Sequence, residues 1–151
     1  MNNTKSFRLS PIAEAAADAL REGAGEVYVA DQKPGYPCRQ CLRDAEIGEE
    51  LILVSHDPFT GGSPYRSASP IFLHKTPCQP PSDLHELTSQ LTIRQLSVRA
   101  FDRGEMMLDA ASIPGDHLAD SIAELFSDQA VERIHVHNAP RGCWAVSVTR
   151  S

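Results

Sequence analysis

No apolar run in this sequence approaches the roughly 20 residues that a membrane-crossing helix needs. The opening Met1-Asn2-Asn3-Thr4-Lys5 leads into mixed sequence without the apolar core of a signal peptide. A cytoplasmic location is therefore expected, with the four cysteines held as thiols or metal thiolates. An excess of base is also missing: 14 Lys and Arg against 20 Asp and Glu leave a net charge of −6. That balance argues against nucleic-acid binding, which rests on a basic footprint. There are no repeats, low-complexity tracts or linker. No glycine-rich phosphate loop opens a helix, and no nucleophile elbow, Ser-His-Asp order or HExxH helix is present. Paired Glu49-Glu50 lacks a companion that would specialise either carboxylate.

What is present is an ordinary globular composition, 41% apolar and 23% charged over 151 residues. A fold of this length buries about 70% of the surface its unfolded chain exposes, so it needs no disulfides. The pattern of elements predicts one α+β domain over 1–151, mostly antiparallel sheet with two main helices. Phe7-Arg8-Leu9 reads as a strand. Ser10 then caps a helix with Pro11 at its first position, Ile12, Ala16, Ala19 and Leu20 on one face, and Gly23 at its end. Glu26 to Ala30, Leu51 to Val54 and Pro70 to His74 read as strands, the last two as neighbours. Leu96 to Phe101 and Met106 to Ala111 flank a tight turn at 102–105. Asp116 caps a second helix running to Phe126, with Leu118, Ile122, Leu125 and Phe126 as its apolar stripe. Ile134 to Asn138 and Trp144 to Thr149 close a hairpin around Pro140-Arg141-Gly142.

Charge is uneven along the chain. Between Asp102 and Glu132 stand eight acids and one base, whereas Lys33 to Lys75 holds five of each. An anionic ligand is better placed in the neutral middle third.

Cys38 and Cys41 form a C-x-x-C pair in a proline-flanked turn, a spacing that lets two sulfurs converge on one point. His74 and Cys78 form a second pair, four apart. Together they make a Cys₃His set suited to zinc, for which Cys143 is a substitute ligand. Against this stands a plainer reading of small buried thiols beside a hydrogen-bonded histidine. A redox dithiol is a further alternative, although no helix N-terminus is evident to activate it. An unrecognised enzyme acting through Cys41 or His74 is another.

Arg39, Arg43, Tyr65, Arg66 and His74 form a second group. Guanidinium forks grip carboxylate or phosphate, so these residues predict an anion-binding cleft of a binding or regulatory module. The structural alternative pairs Arg43 and Arg66 with Asp44, Glu49 or Asp57. His135 and His137 share one strand face, opposite Ile134 and Val136, and are expected on an exposed sheet face. Asp116, Asp120, Glu124 and Asp128 recur every four residues as an acidic ridge that can dock a basic partner or simply face solvent.

Pro37-Cys38-Arg39-Gln40-Cys41-Leu42-Arg43-Asp44, Gly48-Glu49, Asp57-Pro58-Phe59, Ser63-Pro64-Tyr65-Arg66 and Pro70-Ile71-Phe72-Leu73-His74 together resemble a family of small bacterial proteins of unknown function. Arg99-Ala100-Phe101-Asp102 and Gly142-Cys143 extend the likeness through most of the chain. Ser69 departs from the pattern, standing where a glycine is expected. The resemblance implies a shared fold and no particular activity.

Overall fold

Among the described residues, β-prone runs bounded by turns form eight strands, arranged in two antiparallel sheets. The computed structural model describes residues 6–23 and 25–151; the Met1–Lys5 segment read above lies outside them. In chain order the elements are β1 (Phe7–Ser10), α1 (Glu14–Glu22), β2 (Glu26–Val29), β3 (Glu50–His56), β4 (Ser69–His74), α2 (Ser89–Thr92), β5 (Gln95–Phe101), β6 (Met107–Pro114), α3 (Leu118–Phe126), β7 (Arg133–Asn138) and β8 (Trp144–Arg150). The larger sheet has the order β1-β8-β7-β5-β6 and the smaller β2-β3-β4. The fold is α+β, with α1 and α3 as its main helices, as the sequence predicts.

Each sheet packs its own core. Phe7, Leu9, Leu96, Val98, Ile134, Val136, Val146 and Val148 of the large sheet meet Leu118, Ile122, Leu125 and Phe126 of α3. The predicted helical stripe is therefore buried in full. A second core joins Ile12 and Ala17 to Ile52, Ile71 and Leu73 of the small sheet, with Cys38, Cys41 and Trp144. Trp144 begins β8, so this core fastens one sheet to the other. Ser69 adds a polar tie, its Oγ accepting the Trp144 N–H at 3.2 Å. A glycine there could not make that bond.

Two helix starts differ from expectation. Ser10 is not a cap, because its backbone pairs with Ser147 in the β1–β8 ladder; α1 begins later, with Ala13 before it and no side-chain cap. Asp116 sits within a 3₁₀ turn, Gly115–His117, and His117 precedes α3. That turn is pressed onto α2: a Cβ at Gly115 would lie 2.4 Å from the Leu91 carbonyl oxygen and 2.6 Å from those of Thr92 and Arg94. Only glycine fits so close an approach. Consequently, of the predicted ridge, only Asp120 and Glu124 share the helix, while Asp128 turns to accept the Ala130 N–H.

The exposed face predicted for His135 and His137 is also overturned. Both are buried, at 1% and 4% exposure. Their strand is central, between β5 and β8, and the loop after β3 folds over it. Phe59 of that loop meets the His135 ring edge-on at 4.8 Å.

Candidate metal centre

The C-x-x-C segment is a closed turn. Pro37 bridges to Asp44, and the Cys38 N–H bonds the Arg43 carbonyl at 3.0 Å. Leu42 adopts φ 56°, an uncommon left-handed conformation for a branched residue, and its buried side chain anchors the turn in the large core. Cys38 also pairs with Phe72 in a parallel bridge, and the Arg39 N–H reaches the Phe72 carbonyl at 3.0 Å. The turn is thus stitched alongside β4, whose last residue is His74. Cys78 follows in the next loop.

This places all four predicted donors together. The sulfurs of Cys38, Cys41 and Cys78 and a ring nitrogen of His74 lie within 4.8 Å of one another. Cys38 Sγ and Cys78 Sγ are 3.7 Å apart, far beyond a disulfide bond. Cys41 Sγ is 3.5 Å from His74 Nδ1. With Zn–S near 2.3 Å and Zn–N near 2.05 Å, the edges of a tetrahedron come to about 3.8 Å between sulfurs and about 3.6 Å from sulfur to nitrogen. The two observed spacings match those edges.

The surroundings suit a metal as well. His74 Nε2 lies 3.0 Å from Glu49 Oε1, the carboxylate–histidine arrangement that orients an imidazole ligand. The His74 N–H points at Cys38 Sγ, 3.4 Å away. Arg21 of α1 donates through Nε to the His74 carbonyl at 2.8 Å and through Nη2 to Gln40 Oε1 at 2.7 Å, with Cys78 Sγ 3.7 Å from Nη2. Arg43 lies against Cys41, whose charge raises the guanidinium pKa. Three thiolates around a dication carry one net negative charge, and these two arginines stand beside it.

Proton sharing in the ion-free cluster follows the same geometry. Hydrogen bonds from Cys41 and Cys78 hold the Cys38 thiol well below its ordinary range, while Cys78, the proton donor, is pushed up. Hydrogen bonds to Cys38 and Cys41 raise His74 to about 11. The Glu49 carboxyl is lowered, first by the Glu46 N–H and then by His74. Such a cluster holds protons that a bound metal would displace.

Cys143 is not the substitute ligand anticipated from sequence; it lines a separate groove. Nor does C-x-x-C open a helix, so the redox reading lacks its activating feature. The five residues of the predicted anion cleft are dispersed. His74 belongs to the cysteine cluster and Arg43 to its edge. Arg66 is bound to Asp57 Oδ2 at 2.6 Å and to the Gly61 carbonyl at 2.8 Å, the structural alternative given above. Tyr65 sets its ring against Phe101. Arg39 is 2% exposed and donates to the Trp144 and Pro37 carbonyls at 2.8 and 2.6 Å; burial lowers its pKa to about 10. Asp44 pairs with Arg94 rather than Arg43, at 2.7 Å.

Residues 35–150 match the family described as protein of unknown function (DUF1203). The chain belongs to that family. The DUF1203 span includes all four cluster residues and Glu49, whereas Arg21 lies ahead of it. No curated protein and no solved structure matches the chain. Among the described residues, no helix is long and apolar enough to cross a membrane.

Proposed function

We propose that this DUF1203 protein is a zinc-stabilised binding module, in which Cys38, Cys41, His74 and Cys78 hold one structural Zn²⁺. The observation that carries this reading is the convergence of three sulfurs and an imidazole nitrogen within 4.8 Å, from a turn and a strand end some thirty residues apart in sequence. Four protein donors complete a tetrahedron and leave no position for a reactive water, so the metal's role is to fasten. It would join the Cys38–Cys41 turn to the end of β4 and to the irregular, proline-rich loop that carries Cys78. A catalytic role for Cys41 or His74 has less support, because both are buried and both belong to the donor set. Recognition would then fall to the surfaces that this fastened core presents, including the acidic Asp120 and Glu124 face proposed for a basic partner.

Elemental analysis of protein purified without a metal-affinity tag tests the reading. About one equivalent of zinc per chain is expected, since structural sites hold zinc tightly at neutral pH. Less than about a tenth of an equivalent, unchanged after incubation with zinc, would overturn it.

A further inference from the structure

Beside the cysteine cluster, but separate from it, runs a groove of about 660 Å³, within the size range of small-molecule sites. Its lining contains three arginines, Arg39, Arg94 and Arg141, and no Asp or Glu. Carboxylates stand behind parts of this lining, Asp44 on Arg94, Glu26 on Tyr28 and Asp31 on Tyr36, so the cationic surface turned to the groove is that of Arg39 and Arg141. The three arginines are not equivalent. Arg94 is neutralised by a bidentate pair with Asp44, at 3.0 and 2.7 Å. Arg141 lies exposed in the β7–β8 turn and forms no ion pair among the described residues.

Arg39 is the telling one. It is buried, its Nε and Nη1 bond two carbonyls, and its Nη2 makes no hydrogen bond among the described residues. No carboxylate pairs with it. The nearby anionic groups, Cys143, Cys38 and Asp44, act on it only through space, so its Nη2 is left for a direct oxyanion partner, and the groove is the side from which one can arrive. A second polar atom is also without a partner: Asn138 Oδ1, buried in the same groove, receives no donor. Part of the lining is aromatic. Tyr28 and Tyr36 pack against Phe72, with ring centroids 5.6 and 5.3 Å apart. Their hydroxyls bond Glu26 and Asp31, so the rings contribute apolar surface to the wall.

We propose that this groove binds a small organic oxyanion, a carboxylate or phosphate carried on a flat apolar body. The oxyanion meets Arg39 and Arg141, the body lies against Tyr28, Tyr36 and Phe72, and a donor on the ligand reaches Asn138. Guanidinium groups favour planar, bidentate oxyanions, and aromatic walls favour flat partners. The site goes beyond the zinc reading, and it stands whether or not the cluster holds metal.

Full-length ¹⁵N-labelled protein, its zinc content measured on the same sample, is titrated with phenyl phosphate, benzoate, benzyl alcohol and inorganic phosphate. Phenyl phosphate or benzoate should shift the amides of Tyr36 and of residues 138–143, while benzyl alcohol should leave them in place. Arg141→Ala, at an exposed position, should weaken that binding about three- to fivefold. Arg39→Gln should weaken it about tenfold or more, provided its spectrum is that of the folded protein. If Arg39→Gln does not fold, Arg141→Ala decides. Absence of groove shifts at about 10 mM of both aromatic anions, where a Kd of ~1 mM would saturate, overturns the proposal. Undiminished binding by Arg141→Ala overturns it too. Inorganic phosphate binding as tightly as phenyl phosphate removes the flat body from it.

Discussion

The imidazole of His74 stands between Cys41 Sγ, 3.5 Å from Nδ1, and Glu49 Oε1, 3.0 Å from Nε2. One ring nitrogen thus faces the donor cluster and the other a carboxylate. A carboxylate in that position fixes the ring's tautomer and orientation and strengthens its basicity as a ligand. Glu49→Ala should therefore lower zinc affinity by about 10–100-fold, read by competition with a chromophoric chelator. Glu49→Gln, which keeps a hydrogen-bonding oxygen, should lose less. Equal affinity in Glu49→Ala and the wild type would separate Glu49 from the metal.

Removing a donor has a larger effect. Cys78 comes from an irregular loop, and on the zinc reading a bound metal would tie it to Cys38 and Cys41. With free zinc a thousandfold above Kd, binding adds about 4 kcal/mol to stability. For a chain of this size that corresponds to about 10 °C in melting temperature. Cys78→Ser and chelator-treated wild type should each melt lower by about that amount. Chelator should then do nothing further to Cys78→Ser. A chelator that lowers the variant as much as the wild type would place the metal elsewhere.

Much of this was legible beforehand. Residue type and the C-x-x-C spacing mark Cys38, Cys41, His74 and Cys78 as a candidate set, but the H-x-x-x-C spacing of the second pair leaves buried thiols beside a hydrogen-bonded histidine equally open. Apolar, β-prone runs between turn residues mark the strands, and 3.6-residue spacing gives the buried stripe of α3. The rest depended on what the chain folds against. Arg21 meets the His74 carbonyl across 53 residues of sequence, and no local pattern announces such a contact. From the sequence Glu49 is one of a pair of acids and a candidate partner for an arginine, with nothing to tie it to His74. His135 and His137 do share a face, but alternation cannot say that Phe59 from a distant loop covers it. Ser10 reads as a cap because Pro11 follows it, yet the β1–β8 ladder claims its backbone and α1 begins only at Glu14.

Gly115 offers a test of the large core that leaves the metal aside. Its hydrogen faces three carbonyl oxygens of the α2 segment, none with room to retreat without disturbing that turn. Gly115→Ala should cost about 1–3 kcal/mol by overpacking, measured by denaturant unfolding at constant zinc occupancy. Gly62→Ala is the control, since a Cβ there meets nothing within 4 Å. A variant at Gly115 as stable as that control would contradict the close packing of the 3₁₀ turn on α2.

His135 and His137 make stability depend on acid. Burial holds His135 down to about 3 and His137 to about 4, and neither ring nitrogen of His135 has a hydrogen-bond partner. In the unfolded chain both titrate near 6.5. Between those limits the unfolded state binds more protons than the folded one, so stability is intact above pH 6.5 and falls as the pH is lowered through the window. Each histidine contributes a slope of at most about 1.4 kcal/mol per pH unit. His135→Phe should keep the ring against Phe59 and Phe101, remove two buried polar atoms that lack partners, and flatten the pH dependence by about half. At neutral pH the variant should be as stable as the wild type or more so. A stability–pH curve as steep as the wild type's between pH 4 and 6.5 would show that His135 already carries its proton in the folded state.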